Sequence, residues 1–225
     1  MLARVLETEV MDTATDAVDY NTMDHSVVNR VFAEDFFASG PTPTTPTTPI
    51  LDVGTGTALI PIEFCRQHPS CKFVAVDLAA EMLKVAAKNV SDNGLSPRIV
   101  LEQLDGKRLP YADGTYAAVV SNSIIHHIPE PRSCFAEMHR VCADGGRLFV
   151  RDLRRPESED ELRRLVQLYA VGANDHQRQL FADSLRAALT LDEVRGMVAE
   201  LGYDPATAND TTDRHWTWST TKTPG

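Results

Sequence analysis

Short apolar runs alternate with segments of helical periodicity from residue 50 to residue 152. The apolar runs predict five strands, at 50–53, 73–76, 98–103, 117–121 and 147–152. The segments between them predict helices at about 58–68, 79–92 and 132–143, and the last two end at Asn93-Gly94 and at Asp144-Gly145-Gly146. Because nearly continuous apolar strands that alternate with helices are typical of a parallel sheet covered on both faces, the pattern predicts an α/β fold.

The residues before this region divide into a helix and a linker. Val28, Phe32 and Phe36 recur every four residues, so an amphipathic helix is expected over 24–38. The stretch 40–49 reads GPTPTTPTTP, and its prolines disfavour both a helix and a central strand. We therefore expect a linker at 40–49.

The last third of the chain contains two helix starts and a terminal hairpin. Ser158 with Glu161, and Thr190 with Glu193, have the spacing of a capping box, in which each residue of the pair bonds the backbone amide of the other. A weak strand near 206–211 and a stronger one at 215–220 are expected to form a hairpin at a sheet edge.

Composition and charge narrow the class of protein. The chain has 225 residues, of which 43% are hydrophobic, and this suits a globular domain with a sizeable core. The formal net charge of −10 argues against an extended nucleic-acid partner. No segment is apolar enough for a signal peptide or a membrane span, and the four cysteines form neither a CxxC pair nor a disulfide framework. We expect a cytoplasmic protein with free thiols that binds neither nucleic acid nor membrane.

The first strand of the α/β pattern leads into a glycine turn. The sequence LDVGTGTAL at 51–59 puts Gly54 and Gly56 between a strand and a helix, where a ligand can approach the backbone at the positive end of the helix. Asp77 ends the second strand, 21 residues past Gly56, and a carboxylate there can accept hydrogen bonds from both hydroxyls of a ribose. The glycine turn and Asp77 together indicate an adenosine-containing ligand. A dinucleotide would require G-x-G-x-x-G, whose last position here is Leu59, and a plain tight turn is the alternative without a ligand.

Four ordered pieces between about residues 50 and 155 carry a family resemblance. They are LDVGTGTA, FVAVDLAAEML, LDGKRLPYADGTYAAVVSNSIIHHI and FAEMHRVCADGGRLFVRDL. In this order and spacing they resemble the class I S-adenosylmethionine-dependent methyltransferases, in particular the small-molecule group that includes the ubiquinone/menaquinone-biosynthesis type. The resemblance implies an α/β, Rossmann-like, doubly wound sheet of seven strands, mostly parallel with an antiparallel last strand and with helices on both faces. It also implies an N-terminal helical lid at 1–40 and a methyltransferase domain at 41–225, with a helical insertion at about 157–189.

The resemblance further implies S-adenosyl-L-methionine as the methyl donor, S-adenosyl-L-homocysteine as its product, and a role for each matching residue. The expected cofactor contacts are Asp52, Gly54 and Gly56 at the methionine portion, Asp77 at the ribose, Leu78 on the adenine, Asp105 and the adjoining Gly106 at the adenine amino group, and Ser121 and Asn122 beside the sulfonium. Ala58 stands where many members have a third glycine, and alanine is also small.

Two adjacent histidines, His126 and His127, follow the fourth strand. No Cys/His set with the spacing of a zinc site accompanies them, and neighbours on an extended segment point apart, so no metal is expected. Either they form a wall behind the cofactor or one of them moves a proton. By analogy with the phosphoethanolamine-methylating relatives, His127 would act catalytically together with Tyr20, and His126 would pack.

The acceptor pocket is expected to draw on both ends of the chain, because the resemblance places the N-terminal segment over the carboxyl edge of the sheet. The candidate pocket residues are His25, Asp152, Tyr169, Arg214 and His215, and Tyr20 or His25 is expected to meet Arg214 or His215 there.

The sequence thus predicts methyl transfer to a small-molecule nucleophile, with the acceptor atom (O, N, S or C) and the oligomeric state left open. One alternative is a non-catalytic protein that binds adenosylmethionine. Another is a nicotinamide-dependent oxidoreductase, which Leu59 and Asp105 disfavour.

Overall fold

The computed structural model describes residues 2–7, 12–40 and 48–223. Most of the predicted linker, residues 41–47, lies outside the described residues. The described chain divides into two compact units. The larger unit comprises 12–40, 48–122, 133–149 and 219–223, and the smaller unit comprises 2–7, 123–132 and 150–218.

The strands of the described chain form one mixed sheet. They are β1 Ile50–Val53, β2 Phe73–Asp77, β3 Ile99–Gln103, β4 Tyr116–Asn122, β5 Cys142–Leu153, β6 Ala208–Thr212 and β7 His215–Thr221. Their order in the sheet is β3-β2-β1-β4-β5-β7-β6. Neighbours among the first four strands pair parallel, whereas β6 and β7 form the predicted antiparallel hairpin. The predicted seven-stranded, mostly parallel sheet is confirmed.

The helices fill the connections between these strands. They are α1 Ala14–Thr22, α2 Ser26–Ala38, α3 Leu59–Gln67, α4 Ala80–Asp92, α5 Arg132–Val141, α6 Glu159–Tyr169, α7 Asp175–Ala187 and α8 Leu191–Glu200. Short 3-10 turns occur at Ile125–His127 and Pro205–Thr207. No helix among the described residues has both the length and the apolar character needed to cross a membrane. All four cysteines are buried free thiols, as predicted.

The aromatic face of α2 packs into the core of the larger unit. Phe32 and Phe36 are buried, with ring centroids 5.1 Å from those of Phe149 on β5 and Phe64 on α3, respectively. Val28, which shares their spacing, is instead 38% exposed. A step of four residues overshoots a helical turn by about 40°, so the three side chains drift around the helix and only two face the core.

Helix α1 was not predicted, although the sequence contains a signal for it. The hydroxyl of Thr13 accepts a hydrogen bond from the amide of Asp16 at 3.1 Å, and this caps the N-terminus of the helix. Ala17 then packs in a small apolar cluster with Ala79 and Met82 at the start of α4. The helix is short and weakly amphipathic, so its position depends on this tertiary contact.

Strand β5 begins at Cys142 rather than at residue 147. The glycines that were expected to end the preceding helix lie inside this strand. Gly145 donates its amide to the carbonyl of Lys222 at 2.8 Å, and the amide of Lys222 donates to the carbonyl of Gly146 at 2.7 Å. A β-carbon at Gly146 would lie only 2.7 Å from the carbonyl oxygen of Ala143. Gly146 therefore allows a close approach of backbones and Gly145 allows a φ of +74°, and neither acts as a helix stop.

The two predicted capping boxes differ. At Thr190, both halves are present: its hydroxyl accepts the Glu193 amide at 3.2 Å, and the Glu193 carboxylate accepts the Thr190 amide at 2.8 Å. The Ser158 hydroxyl accepts the Glu161 amide at 3.1 Å, but the Glu161 carboxylate turns to the amide of Glu157 instead. Of the two predicted boxes, only the one at Thr190 is reciprocal.

The capping difference predicts unequal stability losses. Thr190→Ala should lower the free energy of unfolding by about 1–2 kcal/mol, because it removes the cap of a buried helix start. Ser158→Ala, at an exposed helix start, should cost about 0.5–1 kcal/mol. Urea denaturation of both variants measures the difference, and equal losses would contradict the assignment.

Candidate functional site

The backbone after β1 turns sharply through positive φ angles, which are +76° at Gly54, +54° at Gly56 and +62° at Ala58. Residues other than glycine rarely adopt this conformation, so the glycines at 54 and 56 suit the turn and Ala58 is strained in it. The amides of Gly54 and Thr55 both donate to the carbonyl of Val76, at 2.8 and 2.9 Å. These two bonds fix the turn against β2.

The carboxylate of Asp77, at the end of β2, holds the second half of the turn. Its Oδ2 accepts the amide of Gly56 at 2.7 Å, and its Oδ1 accepts the amide of Ala79 at 2.9 Å. Burial raises the pKa of Asp77, although the amides of Ala79 and Gly56 oppose this shift. Since each carboxylate oxygen has two acceptor sites, Asp77 can hold the turn and still accept hydrogen bonds from a ligand.

Asp52, inside β1, is a buried carboxylate without a matched charge. It is 1% exposed. Among the residues that the structure describes, its Oδ2 has no hydrogen-bond partner, and neither have the hydroxyls of Thr55 and Thr57. Burial raises the pKa of Asp52 to about 7; the nearby Thr55 hydroxyl opposes this shift and the charge of Asp77 reinforces it. A carboxylate in this state would be stabilised by a cationic group that entered the site.

Three further predicted cofactor residues follow neighbouring strands. Leu78 comes directly after β2 and is 38% exposed, which leaves an apolar surface beside Asp77 for a ligand to cover. Asp105 follows β3, and its Oδ1 accepts the amide of Lys107 at 2.9 Å and lies 3.2 Å from the Lys107 ammonium. Asn122 ends β4. All three are placed at the carboxyl ends of parallel strands, where open α/β sheets bind ligands.

Ser121 and Gly106 make packing contacts that sequence reasoning did not anticipate. The hydroxyl of Ser121 is buried and donates to the carbonyl of Val53 at 2.9 Å. A β-carbon at Gly106 would lie 2.8 Å from Val53 Cγ1. Ser121 therefore bonds to β1 and Gly106 leaves room for Val53, and the contact of both residues with a cofactor stays a prediction.

Tyr20 and His25 lie together at the glycine turn. Tyr20 Cε1 is 3.9 Å from the position that a β-carbon at Gly56 would take. The rings of Tyr20 and His25 stack with centroids 4.6 Å apart, and His25 Nε2 is 3.0 Å from the Tyr20 carbonyl oxygen. Burial lowers the pKa of His25. The structure thus brings both residues to the turn, while their meeting with Arg214 or His215 stays a prediction.

In the smaller unit, Asp152 lies under the 3-10 turn that contains the histidines. Its Oδ1 accepts from His126 Nδ1 at 2.5 Å and from the amide of Leu153 at 2.6 Å, and its Oδ2 accepts the amide of Ile125 at 2.5 Å. Burial alone would raise the pKa of Asp152, but His126 and the Leu153 amide lower it overall. Burial by itself would lower the pKa of His126, but the charge and hydrogen bond of Asp152 outweigh burial and raise it overall. Asp152 therefore positions His126.

His127 lies against Glu7 and not on an extended segment. The expectation that the adjacent histidines point apart was wrong, because residues 125–127 form a 3-10 turn that brings the two ring centroids to 4.1 Å. His127 Nδ1 is 3.3 Å from Glu7 Oε1, and His126 Nε2 is 3.6 Å from the same oxygen. Burial, with the charge of His126, lowers the pKa of His127 to about 3. Its imidazole is therefore neutral at physiological pH.

Two of the predicted pocket residues in the smaller unit form one cluster. The Arg214 guanidinium carbon lies 3.4 Å from the Tyr169 ring centroid, and the Tyr169 hydroxyl donates to Asp213 Oδ1 at 2.7 Å. His215 Nδ1 is 3.0 Å from the hydroxyl of Thr212. Burial and then the charge of Arg214 lower the pKa of His215 to about 4. A neutral histidine and a stacked arginine thus lie next to each other along the chain.

Sequence reasoning missed two residues that organise these places. Asn89, on α4, donates its side-chain amide to Asn21 Oδ1 at 2.7 Å and to the carbonyl of Thr57 at 2.9 Å, so it joins α1 to the glycine turn. No local pattern marks this asparagine. Glu7 was visible only as an acid near the start of the chain, and its contact with the histidine pair depends on tertiary packing.

Comparison with known proteins adds a family match. Residues 50–146 match the model of a methyltransferase domain. A demethylmenaquinone methyltransferase of Porphyromonas gingivalis is 38% identical over 110 residues, which cover 48% of this chain and 45% of that protein. A ubiquinone/menaquinone biosynthesis C-methyltransferase of Marinomonas sp. is 27% identical over 165 residues, which cover 69% of this chain and 66% of that protein. The matched segment thus spans less than half of the first relative.

Solved structures share the fold over most of the chain. A candidate S-adenosyl-L-methionine-dependent methyltransferase of Methanococcus maripaludis has a TM-score of 0.73 at 18% identity and covers 98% of each chain. The plantazolicin methyltransferase BpumL, determined with a pentazolic desmethyl analogue and SAH, has a TM-score of 0.68 at 15% identity and covers 92% of this chain and 89% of its own. At these identities the likeness shows the fold.

The buried carboxylate of Asp52 predicts a stability that falls as pH rises. The pKa of Asp52 is raised from its ordinary value of 3.8 to about 7 in the folded protein, so the unfolded chain loses this proton first between these values. Stability is therefore lost progressively as pH rises from about 4 to about 7. Without ligand, Asp52→Asn should raise the free energy of unfolding by about 2–4 kcal/mol at pH 8 and by little at pH 4. Urea denaturation across this pH range measures the effect.

Asp92→Asn serves as the matched control for this measurement, because Asp92 is an exposed carboxylate of the same unit, paired with Lys88 on α4. Its effect should be small at every pH. A gain at pH 8 no larger for Asp52→Asn than for Asp92→Asn would contradict the burial of an unmatched charge at position 52.

Proposed function

We propose that the chain is a class I S-adenosylmethionine-dependent methyltransferase that transfers a methyl group from S-adenosyl-L-methionine to a small organic nucleophile. The observation that carries this proposal is the turn after β1, which is held by Asp77 from the next strand. The turn supplies backbone groups that a ligand can approach closely, and Asp77 supplies acceptors for ribose hydroxyls.

The residues at the turn fit this cofactor by charge and by shape. S-adenosyl-L-methionine carries an ammonium and a sulfonium, and the unmatched carboxylate of Asp52 is a suitable neighbour for a cation. The hydroxyls of Thr55 and Thr57 are also buried there. Neither has a hydrogen-bond partner among the described residues, so a ligand could supply one. The exposed face of Leu78 suits an adenine ring, and Asp105 suits the adenine amino group.

When bound, the cofactor supplies a methyl group on an electrophilic sulfonium. The chain then has to align an acceptor with that methyl group and exclude water. Tyr20, beside Gly56, is suitably placed to cover the turn. A strong general base is needed only where the acceptor must lose a proton.

We propose Tyr20 and His127 as the catalytic residues that contact the acceptor. His127, with its pKa lowered by burial to about 3, is a poor proton acceptor at neutral pH. Its Nδ1 faces Glu7, so its Nε2 is the atom proposed to hydrogen-bond the acceptor. His25, Asp152, Tyr169, Arg214 and His215 remain the proposed surroundings of the acceptor, and Asp152 acts there through His126.

The relatives suggest the first acceptors to try. Two of them are named for methylating quinone precursors, so aromatic quinols lead the proposed class, followed by phenols, amines and thiols. A protein that binds the cofactor without catalysis, and the less favoured oxidoreductase, would fail a methyl-transfer assay. The cytoplasmic location remains a prediction.

Asp77 provides the test of the cofactor assignment. Asp77→Ala should weaken S-adenosyl-L-homocysteine binding by about 1.5–3 kcal/mol, or roughly 10- to 150-fold in Kd, because it removes charge-assisted hydrogen bonds to the ribose. Isothermal titration calorimetry measures this, with circular dichroism to verify folding. Asp92→Ala is the control and should bind like the wild type.

An unchanged affinity of a folded Asp77→Ala variant for S-adenosyl-L-homocysteine would contradict the assignment of Asp77 to the ribose. Titration of the wild type with NADH tests the oxidoreductase alternative. Saturable binding of NADH, with no binding of S-adenosyl-L-homocysteine, would favour that alternative.

A methyl-transfer screen tests the catalytic assignment. With labelled S-adenosyl-L-methionine and an active acceptor from the series above, Tyr20→Phe and His127→Ala should each lower kcat by about 10²-fold while the Kd of S-adenosyl-L-homocysteine stays near the wild-type value. His176→Ala, an exposed histidine of α7, should have wild-type activity. His126→Ala is a poor control because it would leave the buried Asp152 unpaired. Full activity of both test variants would refute their catalytic role.

A further inference from the structure

Four ionisable side chains of the smaller unit converge at the 3-10 turn. Glu7 Oε1 lies 3.3 Å from His127 Nδ1 and 3.6 Å from His126 Nε2. One ligand atom from each of these three residues lies within 4.8 Å of the other two. Asp152 holds the opposite side of the His126 ring through Nδ1. None of the proposed steps of methyl transfer explains why Glu7 is placed here.

Two of these atoms lack the partners that burial demands. In the described part of the chain, neither Glu7 Oε1 nor His127 Nδ1 has a hydrogen-bond partner, although both atoms are buried. They face each other at 3.3 Å without the geometry of a hydrogen bond. Buried polar atoms without partners are rare in native proteins and call for an explanation, such as an ion between them.

The distances match the spacing of ligands around a small metal ion. Ligand atoms about 2.1 Å from a tetrahedral zinc ion lie about 3.4 Å from one another. The two distances from Glu7 Oε1, 3.3 and 3.6 Å, bracket this value. The remaining separation, between the two imidazoles, is at most 4.8 Å.

The surroundings of His126 also match those of histidines that bind metals. Histidines that bind metals usually donate their other ring N–H to a carboxylate, which fixes the tautomer and the ring orientation. Asp152 accepts from His126 Nδ1 at 2.5 Å, which turns His126 Nε2 toward Glu7.

Arg4 fastens the N-terminal segment that contains Glu7. Arg4 donates to the carbonyl oxygens of Ile128 at 2.9 Å, Pro129 at 3.1 Å and Ala187 at 2.7 Å. The other carboxylate oxygen of Glu7, Oε2, accepts from the Ser184 hydroxyl at 3.5 Å. The segment 2–7 is thus fastened on both sides, and Oε1 is directed at the histidines.

We propose that Glu7, His126 and His127 form a binding site for one divalent transition-metal ion of the zinc type. The ligands would be Glu7 Oε1, His126 Nε2 and His127 Nδ1, and Asp152 would orient His126. Two imidazoles and one carboxylate are donors that zinc prefers, and three protein ligands leave a fourth position for water or another oxygen. The proposed site shares no residue with the glycine turn.

Direct metal binding tests the site. The full chain, stripped with a chelator, should bind one Zn²⁺ per chain in competition with a chromophoric chelator, and Co²⁺ should give the visible absorption of a tetrahedral nitrogen and oxygen site. Glu7→Gln keeps the size of the side chain but loses its charge, and it should weaken Zn²⁺ binding by more than about 100-fold. His127→Ala should do the same, while His176→Ala should bind like the wild type.

Thermal unfolding provides a readout that needs no catalysis. Zn²⁺ at a concentration that saturates the wild type should raise the Tm of the wild type and of His176→Ala, but not of Glu7→Gln. The reason is that Zn²⁺ stabilises the folded state only of a variant that binds it. Asp152→Asn should weaken binding by about 10- to 100-fold where it folds. Absence of stoichiometric binding by the wild type would overturn the proposal, as would undiminished binding by Glu7→Gln and His127→Ala. Neither result bears on the Asp77→Ala titration with S-adenosyl-L-homocysteine, which uses none of these residues, so failure of the metal site and failure of the cofactor assignment are distinguishable.

Discussion

The hydrogen bond from the Gly56 amide to the Asp77 carboxylate fixes the turn on which the larger unit's site depends. Main-chain angles at Gly54, Gly56 and Ala58 are all left-handed, a costly conformation for alanine, and a carboxylate from the adjacent strand stabilises it. Because β1 and β2 pair in parallel, their carboxyl ends meet and this contact becomes possible. Asp77 therefore shapes the turn before any ligand arrives, and its remaining acceptor sites are those that we propose bind the ribose.

Two buried aspartates show how the same side chain can be structural or unsatisfied. Asp152 receives hydrogen bonds from three backbone amides and from the ring of His126, so its pKa is lowered despite burial. Asp52 is equally buried, but one of its oxygens has no partner among the described residues, and burial raises its pKa to about 7. Since native interiors pair their charges, the contrast supports our proposal that Asp52 meets a cationic part of the cofactor.

Glu7 extends this reasoning to the smaller unit. Its Oε1 is buried, directed at two imidazoles and without a hydrogen-bond partner in the described chain. At Asp52 the missing partner is proposed to be the charged methionine portion of the cofactor, whereas at Glu7 it is proposed to be a metal ion. In both places a fixed, partly desolvated anion favours a cation, and this preorganisation is what makes such a site bind tightly.

Local patterns in the sequence determined the existence of the strands, most of the helices, the glycine turn and the spacing of Asp77, because periodicity and turn chemistry follow from nearby residues. The capping box at Thr190 was predictable for the same reason. Tertiary structure decided what depends on distant partners: the start of β5, where Gly146 lies against Lys222, the position of α1 on α4, and the rotation of the histidine pair toward Glu7. A 3-10 turn rather than an extended segment at His126 is stabilised by the buried Asp152, and packing, not local propensity, places that carboxylate beneath it.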